Sequence, residues 1–301
     1  MNSIRAALTA YGTTSLFVLL WSSGAIFAEL GIEHAPAFSF LLLRFALACA
    51  VLAVVGVYRG RWLPAPGTRW RVALTGALLT GGYSICYFLA LARGLTPGLL
   101  ATILGAQPIL TLLATQRRYS VRRVAGLGVA LVGLALVVHP GGSRAVTSFA
   151  GAAFALASLG CMTVGAILQK RIGQAPIDVL PLQNLVSLVL CAAIAPAMPL
   201  AFKFDTTLLV AVLWLGLVIS VLAQLLFYRL VQRGELVNVT SLFYLVPVVT
   251  ALMDYVFLGN RLHTSEMLGM GAILMGLALV LRAEPKAEPK PQASSAERVS
   301  E

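Results

Sequence analysis

Charge is scarce in this chain. Of its 301 residues only 11% are Asp, Glu, Lys or Arg, while 59% are hydrophobic. A soluble domain usually carries about 25% charged residues, so this composition cannot cover a water-facing surface. The mean hydropathy of +0.90 agrees. Histidine is limited to His34, His139 and His263. No HExxH or DxxD pattern occurs, and no nucleophile stands with a base, so an intramembrane enzyme has no residues to work with. Cys49, Cys86, Cys161 and Cys191 fall inside apolar runs and form no CxxC pair. They read as packing residues, with no metal or cofactor implied. Apolar–polar alternation is missing too, which argues against a β-barrel, and the connections leave no room for a soluble domain.

What remains is apolar sequence in blocks. A membrane helix needs roughly 20 mostly apolar residues. Ten such blocks have approximate cores at 10–30, 37–57, 71–92, 97–116, 122–139, 147–169, 179–199, 207–229, 236–258 and 265–282. The expected fold is an all-α polytopic membrane protein. Met1 to Thr9 is short and the first block exceeds a signal-peptide core, so the first span is expected to act as an uncleaved anchor. Residues 283–301 repeat Ala-Glu-Pro-Lys and lack an apolar face; a disordered tail is expected.

The net charge of +11 does not indicate nucleic acid, because of where it sits. Arg59, Arg61, Arg69, Arg71, Arg117, Arg118, Arg122, Arg123, Lys170, Arg171, Arg229 and Arg233 fall on alternate connections. Arg93, Arg144, Lys203 and Arg261 are the few cations on the others. The positive-inside rule then puts both termini in the cytoplasm, in a multi-pass inner-membrane (plasma-membrane) protein. An even number of spans is required, as ten provides.

The blocks repeat. Gly126, Gly128 and Gly133 recur as Gly269, Gly271 and Gly276, at an offset of 143. Pro108 with Thr111 recurs as Pro247 with Thr250 at 139, Arg93-Gly94 as Arg233-Gly234 at 140, and Gly24-Ala25-Ile26 as Gly165-Ala166-Ile167 at 141. The reading is a five-helix repeat over 1–140, a second over 141–282, and the tail. Five spans is an odd number, so the second repeat enters the membrane inverted, with a substrate site near midplane between the halves.

Trp21-Ser22-Ser23-Gly24, Arg44-Phe45, the Pro108 and Pro247 helices and the glycine-rich fifth and tenth spans occur in an order that resembles the drug/metabolite transporter superfamily, specifically its ten-helix EamA-type exporters. The resemblance covers almost all of the chain but the tail. It implies a secondary transporter, with the fifth and tenth spans as scaffold or dimer elements; a homodimer stays open. The acid such families often carry after the fourth and ninth spans is absent: those loops read Gln116-Arg117-Arg118-Tyr119 and Gly259-Asn260-Arg261-Leu262.

Arg44 is the sharpest candidate. It lies about seven residues into its span, roughly 10 Å deep by helical rise. A charge there costs several kcal/mol unless paired or wetted. It is either an anion anchor for a substrate carboxylate or phosphate, or a packing arginine bonded to carbonyls or to Glu29. Its repeat counterpart is Asn184. Other polar or aromatic candidates for a substrate cavity are Trp21, Tyr83, Tyr87, Gln107, Thr111, Gln224 and Tyr244, set against the alternative of interhelical hydrogen bonding. Glu29 and Asp254 are the acids nearest span interiors, hence candidates for a coupling ion. Pro108 and Pro247, both mid-span, are candidate hinges or static kinks.

The expected activity is export of small polar metabolites, amino acids or related compounds, by alternating access. A drug or lipid-like amphiphile exporter, or a passive pore, is the alternative. Expected partners are the small-molecule substrate and the lipid bilayer.

Overall fold

The computed structural model describes residues 2–95, 97–116, 120–138, 149–253 and 264–282, and every regular element among them is helical. Helix α1 (Asn2–His34) and α2 (Ala37–Arg59) are followed by α3 (Arg69–Gly76), which runs through a π-helical stretch at Ala77–Gly82 into α4 (Tyr83–Ala92). Then come α5 (Pro97–Leu104), α6 (Gln107–Thr115) and α7 (Val121–Val138). The second half has α8 (Phe149–Lys170) and α9 (Pro176–Ile194). Next, α10 (Thr206–Leu213) passes through a π-helical stretch at Trp214–Ala223 into α11 (Gln224–Arg233). A short α12 (Leu236–Ser241), a 3-10 turn at Leu242–Tyr244, α13 (Leu245–Met253) and α14 (Thr264–Leu281) complete it.

Among the described residues six helical segments are long and apolar enough to cross a membrane: Gly12–His34, Ala37–Arg59, Arg69–Ala92, Phe149–Lys170, Pro176–Ala197 and Thr206–Arg233. Leu100–Thr115, Leu236–Val249 and Met267–Leu281 are shorter apolar helices. The expected tail at 283–301 lies outside the described residues. Local chemistry sets the helix ends. Gly60 adopts φ +60° and closes α2 with a bond from its N–H to the Val57 carbonyl, a left-handed cap that glycine takes without strain. The Asp205 carboxylate accepts from the Leu208 N–H at 2.7 Å, capping α10.

The π stretches fall at counterpart positions of the two halves, and so do the breaks between α5 and α6 and between α12 and α13. The prolines sit differently from expectation. A mid-span proline should bend a continuous helix by deleting a hydrogen bond. Instead Pro108 stands in the first turn of α6, after a turn at Gly105-Ala106, and Pro247 is the third residue of α13. A first-turn N–H has no intrahelical partner to lose, so each proline starts a half-helix.

Packing between the halves is reciprocal. Gly24 lies against Ile219, and its counterpart Gly165 against Leu79, the counterpart of Ile219. Gly76 lies against Gln183, and Gly216 against the Arg44 carbonyl and Leu47. Gly126 meets Gly276, and Gly133 meets Gly269. That last set makes α7 and α14 antiparallel, at a closeness only glycine permits: a Cβ on Gly133 would stand 2.6 Å from the Gly269 carbonyl oxygen. The glycine faces of α7 and α14 are thus spent on each other.

The arginine-rich end of the bundle is tied by side chains. Lys170 Nζ donates to the carbonyls of Gln232 (3.0 Å) and Gly234 (2.7 Å). Gln232 Nε2 donates back to the Ile172 and Gln174 carbonyls. Buried Arg123 pairs with Glu235 and donates to Asn238 Oδ1 at 2.6 Å. Gln116 Nε2 also donates to Glu235, at 2.7 Å, and Arg59 pairs with Asp178 at 2.8 Å. The α11–α12 turn is therefore held from both sides. The side-chain ties described at the opposite end include His34 with Asp205 at 3.5 Å and Ser39 Oγ donating to the Leu200 carbonyl at 2.8 Å.

Candidate functional site

A cavity of about 170 Å³ lies between the halves. An apolar protein cavity of roughly 150 Å³ accommodates benzene, so this one suits a ring-sized solute. Both halves build it. From the first come Trp21, Gly24, Ala28, Arg44, Thr80, Tyr83, Ser84, Tyr87, Gly105 and Gln107; from the second, Met162, Leu215, Ile219, Gln224, Phe227, Phe243, Val246 and Pro247. The π stretches and helix breaks both border it. A π stretch shifts a helix out of its i→i−4 register, which changes the carbonyls and side-chain directions available at that depth.

Among the described residues Arg44 is the only Asp, Glu, His, Lys or Arg in the lining, and its side chain is buried. Its Nε donates to Ser220 Oγ at 2.8 Å, and the Ser220 hydroxyl donates to the Leu215 carbonyl at 2.8 Å. Leu215 and Ser220 both belong to the π stretch Trp214–Ala223, five residues apart. None of the ion pairs among the described residues involves Arg44, so the pairing with Glu29 weighed from sequence is not formed; Glu29 is exposed and stands outside the lining. With Nε engaged, and no hydrogen bond from the Nη groups among the described residues, those two groups remain to meet a solute. They form the planar fork that matches a carboxylate.

The other candidates divide. Trp21, Tyr83, Tyr87, Gln107, Gln224 and Pro247 line the cavity. The Tyr83 and Tyr87 rings lie 5.9 Å apart, and Gln224 Nε2 donates to Tyr228 OH at 3.0 Å. Gln107 Nε2 is buried without a partner among the described residues. Thr111, Asn184, Tyr244 and Pro108 are outside the lining. Asn184 bonds its own helix at the Leu180 carbonyl, and Tyr244 reaches the Leu127 carbonyl at 3.4 Å, the interhelical role that polar side chains often take in membranes. Asp254 lies outside the described residues.

Sequence reasoning missed Ser220 and the aromatic floor. Phe17, Trp21, Phe227 and Phe243 form a cluster with ring centroids 5.3 to 5.9 Å apart, and three of them, Trp21, Phe227 and Phe243, line the cavity. A signal for Ser220 existed: its repeat counterpart is Thr80, also hydroxyl-bearing and also in a π stretch.

The EamA-like transporter family model matches residues 8–139 and again 149–282. A "Probable amino-acid metabolite efflux pump" of Salmonella typhimurium is 25% identical over 287 residues, covering 87% of this chain and 91% of that protein. Protein PecM of Dickeya dadantii is 28% identical over 250 residues, covering 78% of this chain and 81% of its own. A solved crystal structure superposes with a TM-score of 0.76 at 22% identity, covering 90% of this chain and 98% of its own, and this shows the fold. The family model spans nearly all of both halves, and the chain belongs to the EamA-like transporter family.

Proposed function

We propose that this protein is a secondary transporter that exports small amphipathic carboxylates, amino acids or related compounds, across the inner membrane by alternating access. The observation that carries the substrate class is Arg44: a buried cation with no acid paired to it among the described residues, with Nε fixed by Ser220 and its fork left for the cavity. A buried charge is costly unless paired, and a solute carboxylate supplies the missing partner. Much of the rest of the lining is aromatic and aliphatic (Trp21, Ile219, Phe227, Phe243), which suits an apolar side chain. The efflux-pump description of the Salmonella relative supports the same class.

Ten spans in two inverted repeats, with both termini cytoplasmic, complete the reading. The reciprocal glycine contacts and the antiparallel α7–α14 pair support a two-fold relation between the halves. The positive-inside rule assigns the arginine-rich end to the cytoplasm. In that frame Pro108 and Pro247, each opening a half-helix at the cavity, are the hinges. A homodimer would need a surface other than the glycine faces of α7 and α14.

The test is counterflow in proteoliposomes with radiolabelled L-leucine, L-phenylalanine and L-threonine, each against its own carboxamide. Saturable counterflow of the acids and not of the amides supports the reading. Equal handling of both sinks the anion anchor and favours the second reading, a drug or lipid-like amphiphile, for which the mostly apolar lining speaks. Flux without counterflow indicates a pore.

A further inference from the structure

The two ends of the bundle are asymmetric in a way that the repeat makes readable. At the arginine-rich end Lys170, on α8, grips the last carbonyls of α11 at Gln232 and Gly234. Helices α8 and α11 pack there, and so do α6 and α12. The repeat offsets convert each of these elements into a counterpart at the other end. Lys170 becomes Glu29 (offset 141), and the turn at 232–234 becomes 92–94, with Arg93 at its centre (offset 140). The counterpart helices, α1 with α4 and α5 with α13, make no comparable contact among the described residues. Glu29 and Arg93 are both exposed. The grip exists at one end and its counterpart stands open.

The counterpart is not chemically idle. Tyr87, on α4, lines the cavity. Arg93 follows six residues later, about 9 Å along the helix. The Arg93 guanidinium sits over the Phe154 ring at 5.8 Å, and it takes part in none of the ion pairs among the described residues. Where Lys170 meets carbonyls with an ammonium, position 29 carries a carboxylate, and the turn it would meet supplies a cation.

We propose that Glu29 and Arg93 form the closing ion pair of the opposite, periplasmic end in the state in which the arginine-rich end is open. The two-fold relation exchanges the conformations of the halves: α1 moves onto the α4 turn as α8 leaves the α11 turn. The Lys170 grip and the Glu29–Arg93 pair are then made alternately, one for each side of the membrane. This rests on the alternating-access reading above, and it gives Glu29 a role in closure in place of ion coupling.

The experiment is a charge-reversal cycle in proteoliposomes, read as counterflow of radiolabelled L-leucine, L-phenylalanine and L-threonine. Glu29→Arg and Arg93→Glu should each slow counterflow by about fivefold or more, the scale of an exposed pair turned into a repulsion. The double variant Glu29→Arg/Arg93→Glu should recover most of the rate, and Glu29→Asp should stay near wild type. A merely structural role for either residue would not give recovery in the double variant. Wild-type counterflow with unimpaired single variants, or with a folded double variant no faster than the singles, overturns the pair and leaves the carrier reading intact. Absence of wild-type counterflow for all three solutes overturns the carrier reading and the pair with it.

Discussion

Arg44 Nε lies 2.8 Å from Ser220 Oγ, and that serine is held in turn by a carbonyl of its own π stretch. The arginine is on α2 and the serine in the opposite half, so the cavity's single charge is aimed across the repeat boundary. Removing the hydroxyl with Ser220→Ala should free the guanidinium without removing it. KM for a carboxylate solute should rise about fivefold, on the order of 1 kcal/mol for one hydrogen bond, with kcat little changed. Ser220→Thr should remain near wild type. Counterflow at graded solute concentration separates the two parameters.

The α7–α14 contact should tolerate no side chain. A Cβ on Gly133 would stand 2.6 Å from Gly269 O and 2.8 Å from Ile273 N, and both are backbone atoms that cannot swing aside. Gly133→Leu should destabilise the protein by about 1–3 kcal/mol or more, the range for overpacked cores. Gly128→Leu is the control, because nothing lies within 4 Å of its Cβ position. Melting temperatures in detergent should fall for the first variant and hold for the second.

Glu235→Gln should weaken the arginine-rich end. Arg123 is 2% exposed and would lose its acid, while the Glu235 side chain is 31% exposed and water softens the loss. Breaking a fully buried pair costs about 3–5 kcal/mol, so roughly 2 kcal/mol is expected here. A lower melting temperature, together with faster labelling of a cysteine introduced at Gln116, would show that end opening.

The prolines should matter more to rate than to stability. Pro108 lies in the first turn of α6, where no hydrogen bond is lost. Pro108→Ala should therefore leave the melting temperature within a few degrees of wild type and slow counterflow if the break is a hinge. Unchanged counterflow would make the proline a helix starter only.

Much of this was legible in the chain. Composition gave the membrane, the glycine triplets at 126–133 and 269–276 gave the repeat, and the depth of Arg44 singled it out. The π stretches were not legible. Ala77–Gly82 and Trp214–Ala223 read as ordinary apolar helix, since a shift in hydrogen-bond register leaves little mark on hydropathy. That is why Ser220 went unseen while its partner did not. Asn184 and Tyr244 lie outside the cavity lining, at backbone carbonyls, and the sequence does not show this for a related reason. A polar side chain on an inward face has two uses, and periodicity does not tell a cavity wall from a backbone carbonyl, whether on its own helix, as for Asn184, or on the next, as for Tyr244.

The most direct test of the account is the ratio of carboxylate to carboxamide counterflow in wild type and Arg44→Gln, using radiolabelled L-leucine and L-leucinamide in matched proteoliposomes. Wild type should strongly prefer the acid. Arg44→Gln, folded and eluting as wild type does, should lose acid counterflow and with it the preference. An Arg44→Gln protein that still carries the acid at the wild-type rate would contradict the anchor and return Arg44 to the packing of α2.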